Sequence, residues 1–343
     1  MKFEAIKLQF GSNPLHIGRG RDELDKTELI YHSDSLKSAI YSIGVEIFSE
    51  WQDPDYFFQG FTISSCFPFA GHEFFIPRPN IRKKIIFKEC DDDLQAKKVK
   101  RIEYLSKAVF EKFINNGLED IVLSEANLTL DQGFVCEREE TCVKMEDGIP
   151  KRISFYKTEV QQRVAVPSID SDDEAKPFYI DRIYFEKGCG FYFLAGFSDN
   201  KIRKQVFAAL KVLGENGIGT DRTVGNGLFT FDTDEDVSDF NLNITSQSGF
   251  YMPLGLYLPT QAEMDSIVLR KSSWSILKRG GYMGGSSEDD FKHLLKKSIY
   301  MFGVGSVFST LATLKGKYED LKPDWNLPMH PVWRCGMPLF LKI

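Results

Sequence analysis

The spacing of apolar residues predicts alternating strands and helices in the first half of the chain. A first strand is predicted at residues 2–10, where one face largely carries the apolar residues Phe3, Ala5 (weakly), Ile6, Leu8 and Phe10. A helix follows, with Ser33 or Asp34 as its N-cap and an apolar face of Leu36, Ala39, Ile40, Ile43 and Ile47. The pattern then predicts strands at residues 61–69 and 73–76, a second helix carrying Ile102, Leu105, Val109 and Phe113, and a β-hairpin with residues 128–143 and 152–166 as its arms.

The second half has a similar order of elements. Its pattern predicts strands at residues 178–186, 190–197 and 228–231, a helix at residues 202–213, later strands at residues 251–258 and 273–278, and a helix near residues 291–295. An acidic run at residues 170–174 predicts a linker.

Each half therefore has a β-α-β-β-α-β-like order, which predicts an α+β fold of two ferredoxin-like domains, the topology of the RNA recognition motif. The first predicted domain is residues 1–166, with a basic insertion at residues 77–107 and the hairpin of residues 128–166. The second is residues 167–343, with a glycine-rich loop at residues 214–227.

This glycine-rich loop is the main candidate for binding chemistry, since it has five glycines in fourteen residues and one arginine. Glycine adopts positive φ at little steric cost, so successive backbone N–H groups in such a loop can converge on an anion. The loop follows a helix, whose C-terminal dipole disfavours an anion by about 0.3–1 kcal/mol. A phosphate would therefore need both the amides and the guanidinium of Arg222. The alternative is structural, with Gly214 as the C-cap of the helix and a long turn after it.

The charge balance excludes a protein that coats nucleic acid indiscriminately. The formal net charge is −6, in a chain with 42% hydrophobic and 27% charged residues. Nucleic-acid binding would therefore require a local basic surface. The most basic stretch, residues 77–107, predicts a solvated insertion or, alternatively, a groove that contacts phosphates.

The six cysteines indicate free thiols in a reducing cytoplasm, because none forms a C-x-x-C pair. Cys136 and Cys142 are too far apart for a zinc knuckle, and no paired histidines follow them. The N-terminus does not have the pattern of a signal peptide, and no apolar run is long enough to span a membrane. The sequence therefore predicts a cytoplasmic protein without membrane contact, cofactor or metal ion.

Three segments together resemble the RAMP superfamily of CRISPR-associated RNA-binding proteins. The loop has the pattern G-x-G-x-D-R-x-x-G-x-G at residues 217–227, after a helix and before a predicted strand. The first helix begins with the pattern S-D-x-L-x-x-A at residues 33–39, and the tail contains the segment His330–Gly336. The combination is most similar to the family of fourth subunits of type III-A Csm effector complexes. The resemblance covers most of the chain, although the insertion at residues 77–107 matches no motif.

The resemblance implies a non-catalytic subunit in antiviral defence that caps and holds the 5′ repeat-derived tag of the CRISPR RNA (crRNA). It implies docking to the large polymerase/cyclase-like subunit and to the backbone RAMP subunit, and only indirect contact with target RNA. It also implies a thumb-like hairpin, from residues 128–166, that reaches across the crRNA.

The implied RNA contacts come from the glycine-rich loop and from the first domain. Arg222 is the phosphate clamp, and Thr220, Thr223 and Asn226 are expected to contact base edges or 2′-hydroxyls. The full set of predicted RNA-binding residues is His16, Gly18, Arg19, Ser33, Asp34, Ser35, Lys37, Gly217, Ile218, Gly219, Thr220, Asp221, Arg222, Thr223, Gly225, Asn226, Gly227 and Arg279.

Three competing functions remain open from the sequence. Some RAMP relatives are metal-independent endoribonucleases that use a histidine to activate the 2′-hydroxyl, and His16 or His32 would serve here. Neither histidine has a clear lysine or tyrosine partner in the sequence. The second competing function is that of the equivalent tag-binding subunit of a type III-B Cmr complex. The third is that of a scaffold that never contacts RNA.

Overall fold

The computed structural model describes residues 2–18, 24–81, 85–88, 92–117, 119–138, 141–146, 149–165, 176–245, 249–282, 294–325 and 330–343. The predicted linker at residues 170–174 and most of the predicted helix near residues 291–295 lie outside these ranges. The helices within them are α1 (Ser33–Ile47), α2 (Pro54–Gly60), α3 (Asp92–Arg101), α4 (Lys107–Asn115), α5 (Asn200–Asn216) and α6 (Gln261–Ser266).

Strands make up more of the described fold than helices do. The strands of the first half are β1 (Lys2–Leu8), β2 (Phe61–Ile63), β3 (Phe67–Ala70), β4 (Glu73–Pro77), β5 (Ile85–Phe87), β6 (Tyr104–Ser106), β7 (Ile121–Leu123), β8 (Phe134–Val135), β9 (Val143–Glu146), β10 (Ile149–Arg152) and β11 (Tyr156–Ala165). Those of the second half are β12 (Lys176–Phe185), β13 (Cys189–Phe197), β14 (Val237–Asn241), β15 (Phe250–Pro253), β16 (Ile276–Arg279), β17 (Ile299–Phe302), β18 (Phe308–Ser309), β19 (Tyr318–Asp320), β20 (Trp333–Cys335) and β21 (Phe340–Lys342).

An eight-stranded sheet forms the centre of the molecule, and it confirms the α+β class. Its strand order is β14-β1-β13-β3-β4-β6-β8, with β2 paired to β13. The sheet includes strands from both halves of the chain, because β13 and β14 flank β1. The prediction of two ferredoxin-like domains, each with its own sheet, therefore does not describe the observed strand pairing.

The first strand is buried on both faces. Ile6, Leu8 and Phe10 pack in a core with side chains of α1, α2 and α5, whereas Ala5 faces a second core that includes α4. The predicted single apolar face is therefore correct for Ile6, Leu8 and Phe10 and wrong for Ala5 and Phe3, which pack against the other core. The strand turns different residues to the two cores because successive side chains alternate between the faces of a sheet.

A long antiparallel ribbon of β11 and β12 replaces the predicted hairpin of residues 128–166. Each strand has ten residues, and the register runs from Tyr156 opposite Phe185 to Ala165 opposite Lys176. Before it, β9 and β10 form a separate short hairpin. The second predicted arm is largely present as β11, but the predicted pairing of the two arms was wrong, because alternation identifies a strand without identifying its partner. The ribbon also crosses the predicted domain boundary at residues 166/167.

The basic insertion at residues 77–107 contains regular structure. It includes β5, which pairs in parallel with β7, and the basic helix α3. The predicted second helix begins only at Lys107, because residues 104–106 form β6 between β4 and β8. Tyr104, Leu105 and Ser106 are all buried, so their apolar spacing reflects a strand covered on both faces rather than a helix.

The C-terminal segment packs against the rest of the chain through short strands. The strand β15 pairs with β18 and β21, and two-stranded pairs form between β16 and β17 and between β19 and β20. Backbone hydrogen bonds from Ser65 to Leu254 (2.8 Å) and from Leu339 to Ile63 (3.2 Å) join this segment to the β2–β3 region. This contact brings the C-terminal residues next to the start of α1.

Candidate nucleic-acid interface

The glycine-rich loop begins where α5 ends. The helix extends to Asn216, and its C-cap is Gly217, with φ of 74°. The predicted C-cap at Gly214 was therefore wrong. Gly214 lies inside the helix, where a Cβ atom would overlap the carbonyl oxygen of Phe229, so glycine permits a close approach of two backbones there.

The predicted strand at residues 228–231 is reduced to a single β-bridge between Thr230 and Gln9. Both Phe229 and Phe231 are buried in the core. The edge of β1 is already occupied by β14, which pairs with residues 2–6 and leaves only Gln9 for this segment. The loop therefore joins a helix to an extended segment rather than to a full strand.

Several backbone amides of the loop donate to carbonyl groups within the loop or in the N-terminal segment. The N–H of Ile218 donates to Gly227 O (3.0 Å), that of Thr220 to His16 O (3.0 Å), and that of Gly227 to Pro14 O (2.7 Å). These amides are therefore occupied in this conformation, and the predicted phosphate path along residues 217–227 stays a prediction for the remaining amides. The positive φ angles of Gly219 (85°) and Gly227 (73°) allow close packing against backbone carbonyls.

A short 3₁₀ turn at Arg222–Val224 forms the outward side of the loop. Thr220, Arg222 and Thr223 are exposed, and Arg222 has no ion pair among the described residues. The preceding Asp221 has φ of 57° and binds Arg163 of β11 at 2.9 Å. The ribbon thus fixes the turn that presents Arg222.

Two predicted loop contacts point inward. Ile218 and Asn226 are buried, and the side-chain amide of Asn226 has no hydrogen-bond partner within the described ranges. A buried amide group without a hydrogen-bond partner lowers the stability of the fold. The side chain of Asn226 is therefore an unsatisfied polar group beneath the exposed turn.

The N-terminal wall of the loop is formed by residues 14–18. His16 is fully buried, and its Nδ1 lies 2.6 Å from the carbonyl oxygen of Asp181. Gly18 forms a β-bridge with Thr27, and Arg19 lies outside the described residues. The carbonyl of His16 accepts the Thr220 amide, so this wall positions the loop through its backbone.

The predicted contacts at the start of α1 lie mostly in the interior. The N-cap of this helix is His32, so the prediction of Ser33 or Asp34 was one or two residues late. The Ser33 hydroxyl accepts from the Leu256 amide at 2.9 Å. The ammonium of Lys37 donates to Phe58 O (3.0 Å) and Phe61 O (2.6 Å). These side chains stabilise the fold from within and face no solvent in this conformation.

Asp34 is the centre of an ion-pair cluster that links both ends of the chain. Its fully buried carboxylate accepts hydrogen bonds from Arg279 Nε (2.9 Å) and Nη2 (3.2 Å) and from Arg334 Nη1 (2.8 Å). Arg279 Nη2 also donates to the Ser35 hydroxyl at 2.7 Å. The structure therefore brings together the predicted residues Asp34, Ser35 and Arg279.

The electrostatics of this cluster extend toward the loop. Burial alone would raise the pKa of Asp34, but the charges of Arg334 and Arg279 outweigh it and hold the pKa well below its usual range. Burial raises the pKa of Tyr31 to about 12. The charges of Arg222, Asp34 and Arg334 also contribute to this pKa. Arg222 of the exposed turn and Arg334 of the ion-pair cluster therefore both influence the pKa of Tyr31.

Sequence reasoning did not single out four cationic residues in this region. Arg163 and Arg182 lie on the ribbon, and Lys296 and Arg334 lie near Asp34. Arg182 is buried, and its Nε and Nη2 atoms have no partner in the part of the chain that the structure describes. Their positions depend on tertiary contacts: Arg163 binds Asp221 of the loop, whereas Arg334 binds Asp34.

The described cysteines Cys66, Cys136, Cys142, Cys189 and Cys335 are free thiols. Within the described ranges, no group of three or more His, Cys, Asp or Glu side chains is arranged to hold a metal ion. Among the helices of the described chain, none is both long and apolar enough to cross a membrane.

The fold and the loop define the class of this protein. Residues 12–230 match the RAMP superfamily, and because this match covers more than half of the chain, the protein belongs to that superfamily. Residues 246–343 match the CRISPR Csm4 C-terminal domain. The resemblance to the RAMP superfamily and to the Csm family inferred from the sequence is confirmed.

Individual relatives agree with this assignment. A CRISPR system protein Csm4 of Methanocaldococcus jannaschii is 23% identical and aligns over 99% of this chain and 97% of its own length. A Csm4 of Mycobacterium tuberculosis is 24% identical over 82% of this chain and 79% of its own length.

Solved structures show the same fold. A crystal structure of a Csm3–Csm4 subcomplex of the type III-A CRISPR-Cas interference complex matches with a TM-score of 0.64 and 18% identity, over 100% of this chain and 99% of that chain. A Csm1–Csm4 cassette in complex with cA4 matches with a TM-score of 0.57 and 18% identity, over 100% and 98%.

Proposed function

We propose that this protein is the crRNA-binding subunit that caps the 5′ repeat-derived tag in a type III-A Csm interference complex. The observation that carries the proposal is the exposed turn at residues 220–224, where a braced loop presents Arg222 without an ion pair to any described residue. Single-stranded RNA is held by phosphate contacts and by bases that stack or hydrogen-bond in pockets. The guanidinium of Arg222 can bind a phosphate, and the hydroxyls of Thr220 and Thr223 can form hydrogen bonds with bases or 2′-hydroxyls.

Burial separates the predicted RNA-binding residues into those that can contact RNA and those that support the fold. Thr220, Arg222 and Thr223 are proposed to contact RNA directly. The glycines of the loop, together with His16 and Asp221, hold the turn in place. Ser33, Asp34 and Lys37 act from the interior, because their polar groups are already bonded within the chain. This division narrows the larger set inferred from the sequence.

The partners follow from the relatives. Csm4 proteins occur with Csm3 in one similar crystal structure and with Csm1 in another. We propose that this chain docks the corresponding backbone RAMP subunit and large subunit. The formal net charge of −6 suits a body that binds RNA locally and proteins elsewhere.

The protein is also proposed to hold RNA without cutting it. A general base must reach the 2′-hydroxyl whose proton it removes. The ring of His16 is fully buried with Nδ1 against Asp181 O, and His32 is buried with Glu28 Oε2 at 3.7 Å. Neither imidazole faces the exposed turn as an accessible base.

The binding role is tested with Arg222→Ala. We expect about tenfold weaker binding of a tag-containing RNA at low salt, since a hydrogen bond to a charged group contributes about 1.5–3 kcal/mol. The slope of log affinity against log salt should fall by about 0.7. Fluorescence anisotropy over a KCl series measures both quantities. Arg270→Ala is the matched control, because Arg270 is also an exposed arginine in a 3₁₀ turn. An unchanged affinity for Arg222→Ala would contradict the proposal.

The non-catalytic role is tested by incubating the protein with precursor crRNA in EDTA. We expect intact RNA after hours, as seen on a denaturing gel. Robust cleavage that His16→Ala or His32→Ala abolishes would instead assign the protein to the endoribonucleases.

A further inference from the structure

Among the described residues around Asp34, positive charges outnumber negative charges. Its carboxylate binds two guanidinium groups, those of Arg279 and Arg334. Lys296 adds a third positive charge, and burial and the charges of both arginines lower its pKa. Its ammonium has no hydrogen bond or ion pair among the described residues. Glu28 is the second carboxylate that acts on Arg279, and it also lies 3.7 Å from His32. An excess of partly buried positive charge is unfavourable without an anion.

Arg334 has an unused donor in this cluster. Its side chain is only 10% exposed, and although Nη1 binds Asp34, the buried Nε has no partner within the described part of the chain. Buried guanidinium nitrogens are normally hydrogen-bonded. Within the described part of the chain, this Nε is therefore a donor that a bound acceptor can use.

The backbone holds Lys296 between the two arginine-bearing strands. Its amide donates to Gly281 O (3.1 Å), two residues after Arg279 at the end of β16. The next amide, of Lys297, donates to Leu321 O (2.8 Å), beside the segment that leads to β20 and Arg334. The three cations thus converge from one fixed region of the C-terminal segment. Burial, together with the charge of Arg334, lowers the pKa of Lys296 to about 8, as expected for an ammonium crowded by cations.

We propose that Arg279, Arg334 and Lys296, positioned by Asp34, form a second site for one phosphate group of the bound RNA strand. The inference rests on the proposed function, because it assigns the anion to the RNA that contacts Arg222. Arg222 and Arg334 both influence the pKa of Tyr31, which lies three residues before Asp34. The C-terminal segment then contributes directly to RNA binding, and Asp34 couples it to α1.

A phosphate fits this arrangement better than a nucleobase does. Three cations with N–H donors match the several oxygens of a phosphate, and a guanidinium binds phosphate in a forked geometry. A carboxylate of a partner protein is the competing ligand. RNA is favoured because the exposed Arg222, the proposed RNA contact, influences the pKa of the same tyrosine as Arg334 does.

The test compares Lys296→Met with Lys297→Met. Lys296 is outside the Asp34 ion pairs, so its replacement leaves both arginine bonds in place. Lys297 is the neighbouring lysine, and its surface ion pair with Asp324 makes it the matched control. By anisotropy with the intact protein, Lys296→Met should weaken RNA binding about fivefold and lower the salt slope by about 0.7, whereas Lys297→Met should change neither.

The outcomes separate this site from the proposed function. A normal affinity and slope for Lys296→Met, with weakened binding for Arg222→Ala, would overturn the second site and leave the function standing. Normal binding by both variants would contradict the function itself. Normal RNA binding by Lys296→Met, with lost binding to a partner subunit, would assign the site to a protein carboxylate and overturn the proposal.

A labelling experiment distinguishes RNA from free phosphate. Acetic anhydride at pH 8 should modify Lys296, and mass spectrometry measures the extent. Micromolar tag RNA should protect Lys296, whereas inorganic phosphate at the same concentration should not. Equal protection by both would assign the site to free phosphate and contradict the proposal.

Discussion

Replacing Gly227 by alanine is expected to lower the free energy of unfolding by about 3 kcal/mol and to weaken RNA binding at least about tenfold. Gly227 has φ of 73°, and an added Cβ atom would overlap the carbonyl oxygen of Ile218. That carbonyl belongs to the backbone, so it cannot move away like a flexible side chain. Relief would break the bond from Ile218 N to Gly227 O (3.0 Å) and displace the turn that carries Arg222.

Gly225→Ala is the matched control. Gly225 also has positive φ, 85°, but a Cβ atom there would meet nothing within 4 Å. Its replacement should cost only the conformational strain, about 1–2 kcal/mol, and should change RNA affinity little. Urea denaturation and anisotropy measure the two effects. Equal losses for the two variants would show that the close approach at Gly227 does not hold the loop.

Replacing Asp34 by asparagine is expected to lower the free energy of unfolding by about 3–5 kcal/mol, because it removes the carboxylate that two partly buried guanidinium groups share. The side chain of Arg334 is 10% exposed and that of Arg279 is 24% exposed, so water solvates their positive charges poorly. Glu146→Gln is the control, since it removes the exposed pair with Lys151 and should cost less than about 1 kcal/mol. Urea denaturation at neutral pH compares the two, and similar small losses would contradict the central role of Asp34.

The pH dependence of the stability is a second test of the Asp34 ion pairs. The pKa of Asp34 is lowered in the folded protein, so its stabilisation is fully present above the unfolded value of about 3.9 and decreases as the pH falls below it. The acid-induced loss of stability should therefore be shallower in Asp34→Asn than in the unmodified protein. Parallel stability curves from pH 6 to pH 2 would show that this carboxylate does not contribute.

Local patterns predicted much of the candidate site. The helix predicted at residues 202–213 is present as α5, and the glycine pattern identified a loop with several positive φ angles and an exposed Arg222. These features depend on neighbouring residues, through helical periodicity and glycine's freedom at positive φ. The strands predicted at residues 178–186 and 190–197 were confirmed for the same reason.

Contacts between distant residues were not predictable from these patterns. Alternation identified β11 as a strand but did not identify β12 as its partner. The segment at Ser33 and Asp34 was predicted to contact RNA, whereas its side chains bind Leu256, Arg279 and Arg334 from the far end of the chain. The roles of Arg334 and Lys296 also depend on this long-range packing. Arg334 lies in the tail segment that carried the resemblance, but no local pattern indicated its bond to Asp34.

Photo-crosslinking tests most directly whether the braced loop holds the guide strand. A tag RNA with 4-thiouridine at single positions is bound to the protein and irradiated, and the crosslinked peptides are mapped by mass spectrometry. We expect at least one position to crosslink within residues 217–227, and Arg222→Ala to reduce that crosslink. Crosslinks confined to other parts of the chain, with none in this loop, would contradict the proposed mode of RNA binding.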